Sequence, residues 1–297
     1  MNPQHEKGMQ EWARNEDPRR HCYTSYTDRS IEKRQLEEAI EVTEDNVDYL
    51  YGEEFTPTTV DYPQGTRPLL EMIVEKVCAD CRTPREKAIA LVNWRRLNIT
   101  HIGKCGLGSE EEIILGGYSM CHDAARTMII LAQVAGLGAR MVLGLNDEQE
   151  RGHTLSEVHV GDGWAIMDPS PMLPWGYLET PEGRLLNAWD IRTNPELVGQ
   201  CPTTPGDWER VGQGLRNAAM YADLFPNYRL TNYSLEDSTR FMALRFLRYV
   251  TAHKALDNYD YTGHLSSDPL SKFLDLDQTV EEWVEASLEN VRENILA

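Results

Sequence analysis

Between residues 116 and 171 the chain carries a thiol, an imidazole and a carboxylate in that order: Cys121, His153 and Asp168. A cysteine attacks as its thiolate, an imidazole can take the thiol proton and later give one to a leaving amine, and a carboxylate on the second ring nitrogen fixes the tautomer. Such a set is suited to nucleophilic attack on an amide carbonyl, with a proton given to the leaving amine. Each residue alone has a plainer role: Cys121 as packing among small residues, His153 and Asp168 as the cap of a hairpin. What makes the set informative is the elements that must carry it.

Residues 127–135 are apolar on nearly every side, with Gln133 the exception, and the run stops at Gly136, which predicts a buried helix beginning near Cys121. A helix N-terminus lowers a thiol pKa by its dipole and offers unpaired N–H groups to a developing oxyanion. Gly116-Gly117 just before it would let the backbone approach closely. Residues 140–145, 154–160 and 164–168 read as strands, the last two joined across Gly161-Asp162 as a two-residue II′ turn. In that register Val160 faces Gly163 and Asp168 faces Leu155, so His153 lies diagonal to Asp168 on the same face, about 7–8 Å away at the backbone. A three-residue loop would put them on opposite faces.

These segments resemble the transglutaminase-like family of cysteine enzymes. The matching features are Cys121 opening a buried helix, Gly138-Ala139-Arg140 leading into a strand, His153 followed by Glu157-Val158, and Trp164 followed by Asp168-Pro169; residues 84–98 also resemble the helix preceding the cysteine. The resemblance covers about residues 67–171 and implies an α+β, papain-like core, with the Cys helix against an antiparallel sheet. It implies acyl transfer through a thioester, with Cys121 as nucleophile, His153 as base and Asp168 as orienter. One departure is Leu155, where the family often has an aromatic.

Around this stretch, Leu70, Ile73, Val74, Val77, Cys78 and Cys81 form one helical stripe, and Thr83-Pro84-Arg85-Glu86 is a capping box opening a second helix to about Leu97. Residues 29–41 read as a surface helix, 56–65 as a linker, and the glycine-rich 102–117 as a loop whose run Glu110-Glu111-Glu112 would be solvated or select cationic substrates. Tyr118 or Trp94 could add an oxyanion donor. Helical faces are expected at Ala243, Phe246, Leu247 and Val250, after a cap at Ser234, and from Val280 to Ile295, after Thr279-x-x-Glu282. The organisation expected is an N-terminal arm and helix (1–62), a transglutaminase-like core (63–182) and a helical extension packed on the core (183–297).

A net charge of −19 argues against nucleic acid or an anionic membrane as partner. It suits a neutral or cationic peptide, protein or small amide. Residues 1–20 lack the apolar core of a secretory leader, so a cytoplasmic protein with free thiols is expected. Cys78, Cys81, His101 and Cys105 could be counted as a zinc set, but the two cysteines of the pair fall on the apolar stripe; no metal and no cofactor are expected. His159 is expected opposite Trp164 near the turn, and His122 to point away from the site. The expected function is amide or peptide hydrolysis, or transamidation. The rival readings are an acyltransferase with an activated thioester donor, and a non-catalytic scaffold on the same fold.

Overall fold

The computed structural model describes residues 39–52, 58–101, 110–119, 121–146, 151–170, 173, 176–201, 225–233 and 280–295. They form strand β1 (Ile40–Glu41), helices α1 (Val47–Leu50), α2 (Pro68–Val77) and α3 (Pro84–Asn98), strand β2 (Thr100–His101), helix α4 (Glu110–Gly116) and strand β3 (Tyr118–Ser119). Helix α5 (Cys121–Val134) and strands β4 (Ala139–Asn146), β5 (Arg151–His159) and β6 (Trp164–Met167) follow. Helices α6 (Ala188–Thr193) and α7 (Leu197–Gln200), strand β7 (Asn227–Thr231) and helix α8 (Val280–Ile295) complete the set.

Local sequence accounts for the helices that frame the site. Thr83 Oγ1 accepts from the Glu86 N–H while the Glu86 carboxylate accepts from the Thr83 N–H, so the capping box forms as expected, with Pro84 at the first helical position. Helix α5 stops at Gly136, whose positive φ lets its N–H reach the Gln133 carbonyl and the Leu137 N–H reach that of Ala132. Gln133, the polar exception on this helix, donates to the Tyr233 carbonyl at 2.7 Å. Its burial is thereby satisfied.

The sheet order is β1-β7-β4-β5-β6, every neighbour antiparallel, with β2 and β3 forming a separate parallel pair. Alternation along the strands divides two cores. Met141, Val158, Ala165 and Met167 pack with α2, α3, α5 and α8, whereas Val142, Leu155, Ile166, Tyr228 and Leu230 pack with α1, α6 and α7. The sheet is a middle layer, and α5 lies along one of its faces.

Three expectations are corrected. Ile40 and Glu41, the end of the expected surface helix, pair with Leu230 and Arg229 as a strand. Residues 227–231, within the stretch expected to be a helical extension, lie between β1 and β4 in the sheet, because Tyr228 and Leu230 alternate into the second core. Residues 110–116, expected as loop, are helix α4. The expected linker is tied down near Gly136: Val60 N–H donates to the Gly136 carbonyl and Gly138 N–H to that of Thr58. The expected helix from Ser234 to Val250 and the capping residue Thr279 lie outside the described residues. No helix among the described residues is long and apolar enough to cross a membrane.

Candidate active site

Cys121 is the first residue of α5 and is half-buried, so its thiol sits where the helix leaves backbone N–H groups unpaired. The β5–β6 hairpin has the expected register: His159 pairs with Trp164 and Ser156 with Met167, and Val160 N–H reaches the Gly163 carbonyl at 2.9 Å across Gly161-Asp162. Gly161 has φ 106°, a conformation that only glycine adopts without strain. The expected diagonal then closes. His153 Nε2 lies 2.8 Å from Asp168 Oδ2, and since a carboxylate can only accept, Nε2 carries the proton. The imidazole also hydrogen-bonds Cys121, leaving that role to the other ring nitrogen.

The electrostatics follow from that chain of contacts. Burial pushes the Cys121 thiol up, but the His153 hydrogen bond and charge, with the Thr154 N–H, outweigh it and bring the thiol below its ordinary value. Burial would likewise lower His153, yet Asp168 and Cys121 together raise it to about 10. Burial raises Asp168, and His153 and Ser170 more than offset this, leaving its carboxyl below the usual range. The same contacts thus favour the thiolate of Cys121, the imidazolium of His153 and the carboxylate of Asp168.

Two residues that sequence reading passed over hold Asp168. Ser170 N–H donates to Asp168 Oδ1 at 3.0 Å, the turn an Asp-Pro-Ser sequence favours. Gly176, at φ 77°, accepts the Asp168 N–H at 2.6 Å; a Cβ there would come within 2.7 Å of Val92 Cγ2 and 3.2 Å of the Asp168 carbonyl. A third is Arg95, fully buried on α3, which donates to Ser119 Oγ at 2.6 Å, Thr127 Oγ1 at 3.0 Å and the Ile99 carbonyl. Its fork ties the strand before Cys121 to the second turn of α5. Asp-Pro-Ser was a readable signal; Gly176 and Arg95 had none, since their neighbours are remote in sequence.

Other expectations resolve differently. Glu110 and Glu111 are fully buried, so neither is solvated or a lure for cationic substrates; the Glu112 side chain lies outside the described residues. Arg67 bonds Glu111 through two nitrogens and Glu110 at 3.1 Å, while Arg126 bonds Glu110 at 2.9 Å and Tyr233 Oη at 3.0 Å. Trp94 Nε1 donates to Ser287 Oγ of α8 at 2.8 Å, which commits it away from an oxyanion. The Tyr118 side chain lies outside the described residues. Burial, with Arg126 nearby, pushes His122 down to about 3, so it is neutral and serves no acid role at neutral pH. His159 sits edge-on to Trp164 with centroids 5.4 Å apart, as expected for a residue beside the turn.

Cys78 packs against the first core at the end of α2, and burial pushes its thiol up to about 12. Cys105 and the His101 side chain lie outside the described residues. Among the described residues, no group of three His, Cys, Asp or Glu could hold a metal ion. Arg140 and Glu157 form a buried pair at 2.8 Å, with the guanidinium between the rings of Trp164 and Tyr51. Tyr51 Oη donates to Glu157 Oε1, which fastens α1 to the sheet.

Residues 71–169 match the family model of the transglutaminase-like superfamily. No curated protein and no solved structure matches the chain.

Proposed function

We infer that the transglutaminase-like core at residues 71–169 is a cysteine-dependent acyl-transfer site in which Cys121 attacks an amide carbonyl, His153 carries the proton and Asp168 orients His153. One observation carries the reading: a single imidazole bonds Asp168 at 2.8 Å through Nε2 while it also bonds a thiol at a helix start.

The thiolate adds to the carbonyl carbon, and the carbonyl electrons move to oxygen. The N–H groups at the start of α5 can receive that oxyanion. Imidazolium gives its proton to the amine as the C–N bond breaks, which leaves a thioester on Cys121 and a neutral His153. Water or an amine then attacks the thioester as His153 takes its proton, restoring thiolate and imidazolium. Water is the preferred acceptor, and a neutral or cationic peptide, protein or small amide the preferred donor, given the charge of −19.

Selective iodoacetamide labelling tests the site. Cys121 should alkylate at neutral pH ahead of Cys78, Cys81 and Cys201, all of which burial shifts upward. His153→Ala should slow that labelling; labelling unchanged in His153→Ala would sink the catalytic reading. Mass spectrometry of an acyl adduct on Cys121, trapped from a cell extract, would identify the donor.

A further inference from the structure

Asp168 has two oxygens to satisfy in a fully buried position, and only one faces His153. A buried carboxylate without donors on its remaining lone pairs drifts toward its neutral form, and a neutral acid no longer supplies the charge that favours a protonated imidazole. Ser170, itself fully buried, meets this need from two directions. Its backbone N–H donates to Oδ1 at 3.0 Å, and its hydroxyl also donates to the Asp168 carboxylate. The same hydroxyl oxygen lies 3.5 Å from His153 Nε2, so it abuts the very bond that orients the imidazole.

We propose that Ser170 is a positioning residue of the site: its hydroxyl, together with its backbone N–H, clamps the Asp168 carboxylate so that one oxygen stays on His153 Nε2. This rests on the reading of Cys121, His153 and Asp168 as a triad. The backbone bond fixes where the carboxylate sits, and any residue able to make the turn supplies it. The hydroxyl bond is specific to serine or threonine. It favours the ionised carboxylate, which in turn favours the imidazolium.

The charged groups bearing on this bond come from each packed element. They are Cys121 at the start of α5, His153 on β5, and Arg95 of α3, whose charge feels both Asp168 and Asp123. Arg67, Glu110, Glu111 and Arg126 bond among themselves. Ser170 is therefore the uncharged member of the group, and its removal changes hydrogen bonding without adding or deleting a charge.

The test follows the proton on His153 directly, by ring ¹⁵N NMR of the full chain across pH, in wild type, Ser170→Ala and Ser170→Thr. Loss of the hydroxyl should lower the pH at which His153 deprotonates by about one unit, while Ser170→Thr stays at the wild-type midpoint. A merely structural serine would reduce stability and leave the midpoint in place. An unchanged or raised midpoint in Ser170→Ala, or an equal fall in Ser170→Thr, overturns the proposal. Because the signal is the imidazole proton, it is independent of turnover. Should His153→Ala leave Cys121 labelling unaffected while Ser170→Ala still moves the His153 midpoint, the triad reading fails and the clamp stands.

Discussion

Two buried polar assemblies flank the first turns of α5, and they behave in opposite ways. In the cluster of Arg67, Glu110, Glu111, Arg126 and Tyr233, each guanidinium has a carboxylate partner; despite burial, those partners drive both arginine pKa values upward. Tyr233 is pushed up as well, by burial first. No proton in those three groups can move near neutral pH. In the set of Cys121, His153 and Asp168, the contacts bring a thiol down and an imidazole up against the same burial, so the proton between them is favoured on His153. The comparison separates buried charge that holds a fold from buried charge that can do chemistry.

The largest test of that contrast is removal of the mobile proton. Cys121→Ala should abolish acyl transfer and His153→Ala should cost about 10³-fold or more in kcat/KM, with folding retained by circular dichroism. The pH profile in wild type carries the same information. The rate should fall as pH drops through the lowered Cys121 value, where thiolate is lost, and fall again as pH rises through about 10, where imidazolium is lost. A profile with no alkaline limb would break the comparison.

Glu110→Gln should do the reverse. It takes the shared carboxylate from Arg67 and Arg126 and should cost about 3 kcal/mol of stability in urea unfolding, with the limbs of the pH profile in place for the molecules still folded. Gly176→Ala should touch both properties, since the added methyl meets Val92 and the Asp168 carbonyl at a positive φ. A loss of about 2 kcal/mol with a measurable fall in kcat is expected. Ser287→Ala should be the mildest. It leaves the buried Trp94 N–H without its acceptor, costs about 1–2 kcal/mol, and should not alter Cys121 labelling.

Legibility followed sequence separation. The hairpin was readable because a two-residue glycine turn fixes its own register, and register dictates which side chains meet. Thr83 to Glu86 and Gly136 were readable because caps are bonds between near neighbours. Glu110 and Glu111 misled for the converse reason. The groups that neutralise Glu110 and Glu111 are Arg67, more than forty residues earlier, and Arg126, on the next helix, and nothing in a run of glutamates reveals them. Ile40-Glu41 and residues 227–231 misled in the same way, since both strands are short, β1 existing through its pairing with β7 and β7 through its pairing with β1 and β4.

By itself the sequence determined the order of thiol, imidazole and carboxylate, the helix that opens at Cys121 and the turn that sets His153 diagonal to Asp168. All of these are local, governed by capping, turn chemistry and the period of two along a strand. The tertiary structure decided which charges are fixed and which are free to exchange a proton. It buries Arg95 behind α5, closes Gly176 onto Asp168 and matches Glu110 with two arginines, because burial and charge pairing depend on neighbours that only the folded chain brings together.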